Sequence, residues 1–310
     1  MNKLAQWSLT AALAGFLFGF DTVVISGADQ KLQSLWGSSD IFHRLVVMAT
    51  ALWGTVVGSL LGSIPTRILG RKKTLLWIGV FYTISAIGSA LANDPYIFAL
   101  FRFLGGLGVG ASTIAAPAYI SEIAPAKDRG KLVGLYQFNI VFGILIAFVS
   151  NYLLGGLGEE AWRYMMGVEA LPAILYTFLV ISIPRSPRWL FLQRKTAEAK
   201  RIIHSAYSEE DANQLILEIS NEQDKAPNSE SIFNKKYRFI LWLAFLIAFF
   251  NQFSGINAFL YYAPRIFEEG GLGESTALLS SIGIGLTNLV FTLIGILSLI
   301  HISEPTRLGM

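Results

Sequence analysis

Eight long apolar segments run through this chain and restrict what it can fold into. They cover residues 7–27, 45–64, 74–92, 97–120, 132–154, 165–183, 239–263 and 276–300. Each is long enough to cross the ~30 Å hydrocarbon core of a bilayer as a helix that rises ~1.5 Å per residue. Because the bilayer core offers no water to the backbone, helices are the expected spanning structure. The pattern predicts an all-α membrane protein with many spans.

Composition excludes several other classes of protein. Charged residues make up 15% of the chain, whereas a soluble domain usually has about 25%. The chain has no cysteine, which rules out disulfides, thiolate metal sites and cysteine nucleophiles. Its three histidines, His43, His204 and His301, are not at ligand spacing from one another, so we expect neither a metal centre nor a cofactor.

The basic residues are distributed unevenly between the two ends of the segments. With the N-terminus inside and the segments alternating in direction, eighteen of the 24 Lys and Arg residues face the cytoplasm and four face outside. This bias follows the positive-inside rule. It predicts a multi-pass protein of the cell membrane whose N-terminus is cytoplasmic.

A polar connection, residues 185–238, separates the sixth segment from the seventh. Apolar residues recur in it near helical spacing, and Ser208 and Asp211 have the spacing of a capping box. Two arrangements remain open for these helices: packing beneath the spans or resting on the membrane surface. The chain thus divides into a six-helix half (1–184), a cytoplasmic helical linker (185–238), two further spans (239–300) and a tail (301–310), as in transporters built from two related halves.

Two ionisable residues, Asp21 and Arg102, are predicted to lie inside spans. Such residues are costly in a membrane and usually face a cavity or a partner. A carboxylate whose protonation responds to a nearby guanidinium is the minimum equipment for proton coupling. A structural ion pair, or interfacial residues that snorkel, explains the same two residues equally well. Gly106 and Gly110 share a helix face with Arg102, which favours a packing seam over a phosphate-binding loop.

The seventh segment is the most polar and contains the sequence FFNQFSGINAFLYYAP. Its uncharged amides and phenols both donate and accept hydrogen bonds, which suits a neutral polyol. Gln252 and Asn257 are offset by about 140° on a helix that turns ~100° per residue. They can therefore share one cavity only if it is wide or if the helix bends near Gly255. For any single amide, an interhelical hydrogen bond is the alternative.

Several stretches of the chain resemble the sugar porters of the major facilitator superfamily. They are GFLFGFDTVVISG, GRKK, RFLGGLGVG, SEIAPAKDRGK, QFNIVFG, SPRWL, NQFSGINAFLYYAP and TNLVFT, and they follow the family order across residues 8–300. The resemblance implies a fold of two six-helix halves that rock around a central sugar site.

The resemblance also implies roles for individual residues. Sugar would be bound by Phe18, Gln137, Gln252, Asn257, Tyr261 and Asn288, with Asn251 standing where the family has glutamine. Asp21 and Arg102 would form the pair that couples sugar transport to protons. An aspartate at this position, rather than an amide, favours symport. A cytoplasmic gate would consist of Arg71, Glu122, Arg129 and Arg188.

The chain departs from the family pattern in places. Arg67 and Ile68 stand where the family usually has Asp and Arg, and Arg185 replaces an expected Glu. Because two acidic partners have become basic, the sequence does not determine how strongly the cytoplasmic gate is held. The stretch LSLIHISEPTR resembles translated adapter sequence rather than the family's next loop. From this we expect the chain to lack about four helices of the six-plus-six plan, and to be unstable and inactive alone.

The sequence therefore predicts a transporter of a monosaccharide, a hexose or pentose, that works by alternating access and sugar:proton symport. A facilitative uniporter is the alternative within this class. A channel or receptor would need a charged ring or filter segment, and a membrane-embedded enzyme would need catalytic groups, yet we find no cysteine and no histidine inside a predicted span. No nucleic-acid partner is expected, and an oligomer is not required.

Overall fold

The structure of the protein is a computed structural model that describes residues 3–125, 128–224 and 234–303. Regular secondary structure in these ranges is helical. The helices are Lys3–Val24, Asp29–Trp36, Asp40–Phe42, Thr50–Leu61, Ser63–Ile68, Arg71–Leu91, Pro95–Ile123, Arg129–Gly155, Ala161–Val168, Ala170–Ser182, Pro187–Leu192, Thr196–Ala206, Glu209–Asp224, Arg238–Phe253, Ile256–Glu269 and Glu274–Ser303, with shorter 3₁₀ turns at Ile25–Gly27 and Lys235–Tyr237 and a π-helical stretch at His43–Met48.

Eight helical stretches of the described chain are long and apolar enough to cross a membrane, which confirms the predicted fold class. Spans one to eight are Lys3–Gly27, Asp40–Leu61, Arg71–Leu91, Pro95–Ile123, Arg129–Gly155, Ala161–Ser182, Arg238–Glu269 and Glu274–Ser298. Span two starts at Asp40 rather than at residue 45, because the π-helical stretch carries the helix further back. His43 therefore lies within a span, and the prediction that no histidine does is wrong.

Glycines set the close spacing of the helices in the six-helix half. A Cβ placed on Gly106 of span four would lie 2.1 Å from the carbonyl oxygen of Ala51 in span two. One placed on Gly19 of span one would lie 1.8 Å from that of Ile140 in span five. Because no larger residue fits at these distances, the backbones of spans two and four, and those of spans one and five, meet directly.

Span seven is broken twice. Arg238–Phe253 ends before Gly255, whose φ of 77° is left-handed and suits glycine, and the next helix begins at Ile256. Inside that second helix, Tyr262 departs from helical geometry two residues before Pro264, where a proline ring and missing N–H disrupt the hydrogen-bond ladder. Of the two alternatives that would let Gln252 and Asn257 share a cavity, a bend near Gly255 is therefore present.

Three linker helices, Pro187–Leu192, Thr196–Ala206 and Glu209–Asp224, form a small apolar cluster beside the spans. Trp189 Nε1 donates to the carbonyl oxygen of Arg67 at 2.9 Å, and Asp211 N–H donates to Ser208 Oγ at 3.2 Å, as the capping box predicts. The linker residues 225–233, Lys127 and the tail residues 304–310 lie outside the described residues. Residues 301–303, assigned above to the tail, continue the helix of span eight.

Candidate functional site

Asp21 and Arg102 form an ion pair in the interior of the bundle. Arg102 Nη1 donates to Asp21 Oδ1, and Nη2 donates to the backbone carbonyl oxygen of Asp21 at 3.0 Å. Both side chains are only 1% exposed. Sequence could not decide whether these two residues reach the same depth, because they lie on different spans. The structure brings them together through direct packing of spans one and four.

A third ionisable residue, Glu169 of span six, belongs to the same buried cluster. Its side chain is 0% exposed, and it lies close enough to Asp21 and Arg102 to interact electrostatically with both. In the described part of the chain its carboxylate oxygens have no hydrogen-bond donor unless Glu169 and Asp21, which lie within hydrogen-bonding reach of each other, share a proton. Glu169 was missing from the charges predicted to lie inside spans, although it lies within the predicted segment 165–183. The same hydropathy argument that singled out Asp21 should have found it.

The amides of span seven meet across the helix break. Asn257 Nδ2 donates to Gln252 Oε1 at 2.6 Å. On an unbroken helix these side chains would diverge, so the pairing depends on the turn at Gly255. Gln252 is exposed and Asn257 is half-buried, which leaves both amides with free hydrogen-bonding capacity for a solute.

Tyr261 connects this amide pair to the buried ions. It lies one helical turn beyond Asn257, on the same face, and it is 4% exposed. Its phenol is close enough to Arg102 and Asp21 to interact electrostatically with both. The polar face of span seven is therefore continuous with the charged cluster of the six-helix half.

The remaining predicted sugar contacts are more dispersed. Gln137 is exposed on span five and Asn288 is half-buried on span eight, two spans that pack against each other. Phe18 is half-buried against the core of the six-helix half, and Asn251 is exposed beside Gln252. Within the described residues, no hydrogen bond joins these four to the Gln252–Asn257 pair.

At the opposite end of the bundle, Glu122 joins three elements of the predicted gate. Arg71 Nη2 donates to Glu122 Oε1 at 2.6 Å, and Ser186 Oγ donates to Glu122 Oε2. Span three, span four and the start of the linker are thereby tied together. Sequence comparison pointed to Arg71 and Glu122, but Ser186 was not among the predicted gate residues.

Arg129 and Arg188 lie around Tyr207, which caps the end of span four. The Tyr207 hydroxyl donates to the carbonyl oxygen of Ile123, and both guanidinium groups interact electrostatically with the phenol. Burial raises the pKa of Tyr207 to about 12, even though the two arginines act to lower it. The phenol therefore stays protonated and remains a donor at any physiological pH.

The basic residues that replace expected acids make other contacts. Arg185 Nη1 lies 3.9 Å from Glu198 Oε2 in the linker, while Arg67 offers its backbone carbonyl to Trp189. Both contacts stay within the six-helix half and its linker.

A bundle of apolar helices with a buried ion cluster, beside a broken span that carries amides, is a multi-span membrane architecture of the major facilitator fold. The chain belongs to the sugar transporter family: residues 7–303 match the family described as "Sugar (and other) transporter".

Individual relatives agree with this assignment. The chain is 33% identical to the D-xylose-proton symporter of Escherichia coli K12 over 322 residues, which cover 94% of this chain and 66% of that protein. It is 37% identical to the putative metabolite transport protein YwtG of Bacillus subtilis over 287 residues, which cover 92% of this chain and 62% of that one. The chain thus spans less than two thirds of the length of these relatives.

Solved structures show the same fold. The partially occluded inward-open xylose transporter XylE from E. coli superposes with a TM-score of 0.84 at 32% identity, covering 95% of this chain and 72% of that one. The proton:xylose symporter XylE bound to 6-bromo-6-deoxy-D-glucose gives a TM-score of 0.82 at 33% identity, covering 95% of this chain and 68% of that one.

Proposed function

We propose that this protein is a secondary transporter that moves a monosaccharide across the cell membrane together with a proton, by alternating access. The observation that carries the proposal is the position of Tyr261, which links the Gln252–Asn257 amide pair to the buried Asp21–Arg102 ion pair. A solute at the amides and a proton at the carboxylates would then act on one connected group of side chains.

The chemistry of span seven supports a neutral sugar, either a hexose or a pentose. A sugar hydroxyl both donates and accepts, and amides and phenols match it without a charge that would favour anions or amines. Relatives of this chain include a D-xylose transporter and an arabinose-proton symporter. Phe18, Gln137, Asn251, Gln252, Asn257, Tyr261 and Asn288 are the residues proposed to line the site.

Charge balance supports coupling to a proton. With Asp21 and Glu169 both ionised, Arg102 neutralises only one of the two carboxylates, and an unpaired buried charge is strongly unfavourable. One proton restores neutrality. If Arg102 separates from Asp21 in one state of the cycle and pairs with it in another, the cluster takes up a proton in the first state and releases it in the second.

The contacts of Glu122 support a gate on the side of the linker. The pair with Arg71 and the hydrogen bond from Ser186 tie the linker to spans three and four. Arg129 and Arg188 are proposed to belong to the same gate. The positive-inside bias supports placing this end, and the N-terminus, in the cytoplasm.

Because the chain spans less than two thirds of its relatives' length, the proposal is tested in proteoliposomes with a chain completed to the length of those relatives. An imposed inward proton gradient should drive accumulation of a labelled pentose or hexose above equilibrium, and adding sugar without a gradient should make a weakly buffered medium alkaline. Sugar flux without proton flux would identify a uniporter. Flux that neither saturates nor shows counterflow would identify a channel, and uptake of amino acids or organic anions in place of sugars would overturn the substrate class.

A further inference from the structure

A second buried cluster of ionisable side chains lies apart from the site above, where span one leads into span two. Asp29 begins the helix Asp29–Trp36, and His43 begins the π-helical stretch of span two. His43 Nε2 lies 2.7 Å from Asp29 Oδ1, and the two side chains are 0% and 1% exposed. Ser38 Oγ lies 3.4 Å from the other ring nitrogen, Nδ1. The imidazole is therefore held by a partner on each side.

The other oxygen of the same carboxylate faces span seven. Arg265 Nη1 lies 3.4 Å from Asp29 Oδ2 and donates to Gln33 Oε1 at 2.9 Å. Asp29 is thus shared between a histidine of its own half and an arginine of the first span beyond the linker. Among the described ion pairs, the one between Asp29 and Arg265 joins these two parts of the chain at this end of the bundle.

Protonation of His43 changes how firmly this contact holds. With a neutral imidazole, the carboxylate charge of Asp29 is available to Arg265. With an imidazolium, the carboxylate is divided between two cations, and the imidazolium also repels the guanidinium across the carboxylate. Solvent screens buried charges poorly, so this repulsion is not damped as it would be at a surface.

Other charged groups face the cluster as well. Glu269 Oε1 accepts from Arg265 Nε at 3.2 Å, and Glu268 and Tyr262 of span seven interact electrostatically with Asp29. Arg44 of span two interacts with Tyr262. Of these side-chain types, imidazole is the one whose ordinary charge change falls between about pH 5 and pH 8.

We propose that Asp29, His43 and Arg265 form a latch that keeps this end of the bundle closed, and that protonation of His43 releases it. The proposal rests on the proposed function, because a latch has a role only in a protein that alternates its access. The uneven distribution of Lys and Arg between the two ends of the spans predicts that this end faces outside. Acidification of the outer medium would then open the gate on the side that supplies both proton and sugar.

The test uses the absence of native cysteines, which makes a single introduced thiol a specific reporter. Ser26 is 3% exposed in the turn Ile25–Gly27, which packs against Ile256–Glu269, and Ser26→Cys is nearly isosteric. Labelling by a polar maleimide is followed in nanodiscs at about pH 8 and about pH 5. The rate is divided by that of Ser34→Cys, an exposed position, which removes the intrinsic pH dependence of the thiol.

The relative rate at Ser26→Cys should rise at least about fivefold on acidification, the lower end of typical coupling between sites. His43→Gln should remove this rise, whereas His204→Gln, at an exposed linker histidine, should retain it. Arg265→Gln should give fast labelling at both pH values, and Arg44→Gln should not. A rise that persists in His43→Gln, slow labelling in Arg265→Gln, or no rise in the parent would each overturn the latch. Because the readout is thiol access, a protein that fails to transport sugar with protons leaves this test intact.

Discussion

Arg102 binds Asp21 at two separate points, the side-chain carboxylate and the backbone carbonyl oxygen. The second contact does not depend on the identity of the side chain at position 21. Substitution of the carboxylate therefore leaves Arg102 anchored to span one, which makes the pair suitable for separating charge from packing.

In a chain completed to the length of its relatives, Asp21→Asn should abolish uphill sugar accumulation while sugar exchange persists. The amide keeps the size of the side chain and a hydrogen-bond acceptor for Arg102 but cannot carry a proton, so the cluster loses one of its two titratable carboxylates. Gradient-driven uptake and counterflow in proteoliposomes measure the two activities separately. Glu169→Gln should also reduce accumulation, because it removes the other carboxylate.

Glu160→Gln is the matched control. This glutamate is 58% exposed and forms an ion pair with Arg163, three residues further along the chain. It should leave both activities near those of the parent. If Asp21→Asn still accumulates sugar against a gradient, the Asp21–Arg102 pair is structural.

In a completed chain, Gln252→Ala should weaken sugar binding with little effect on folding. The exposed side chain loses one hydrogen bond to solute, worth about 0.5–1.5 kcal/mol, which corresponds to about a two- to tenfold rise in Kd. Isothermal titration or tryptophan quenching with the transported sugar measures the change. Gln193→Ala, at an exposed linker position, provides the control, and equal affinities for the two variants would remove Gln252 from the site.

Gly106→Ala should destabilise the six-helix half. Its new methyl group would lie 2.1 Å from the carbonyl oxygen of Ala51, and overpacking of this kind costs about 1–3 kcal/mol. Gly295→Ala is the control, because a Cβ there meets nothing within 4 Å and alanine favours the helix. The melting temperature of the purified protein should fall for the first variant and not for the second. Equal values would show that the seam is looser than the structure indicates.

Tyr207→Phe should lower the melting temperature at neutral pH by removing a hydrogen bond to Ile123, worth about 0.5–1.5 kcal/mol. The deficit should shrink in alkaline medium. The pKa of Tyr207 is raised to about 12 in the folded protein, whereas an unfolded tyrosine has a pKa of about 10. The stability that this group contributes is therefore complete below about pH 10 and is lost as the pH rises toward the folded value.

Melting curves of the parent and Tyr207→Phe across this range check the sign of the effect. Tyr96→Phe, at an exposed tyrosine, controls for general alkaline effects. A difference between parent and Tyr207→Phe that stays constant up to about pH 11 would contradict the assigned pKa.

The sequence predicted the class of fold because span length and hydropathy are local properties. The same arguments singled out the polar face of span seven and Asp21, and the roles of both stay predictions. These arguments did not predict that Arg102 reaches Asp21, because the depth of each residue in the membrane depends on how the two spans are positioned along each other. Glu169 is as visible in the sequence as Asp21, since it is a single carboxylate within segment 165–183; only its proximity to Asp21 and Arg102 needed the structure.

The cluster of Asp29 and His43 was beyond sequence reasoning altogether. These residues lie outside the apolar segments as first drawn, and Arg265 follows them by more than two hundred positions. Their proximity arises from the π-helical extension of span two and from the docking of span seven on the turn after span one. Neither feature has a strong local signal in the residues.

The break at Gly255 makes the main chain part of the proposed sugar site. A helix end leaves peptide N–H and C=O groups without partners inside the helix, and here one helix ends and another begins beside the Gln252–Asn257 pair. Some of these groups already have partners, because Gly255 N–H donates to the carbonyl oxygen of Gln252 and Ile256 N–H donates to Ser254 Oγ. The others add donors and acceptors that belong to no side chain. Replacing any one amide by alanine thus leaves part of the recognition surface in place, so specificity at this point can persist through considerable change in the residues around it.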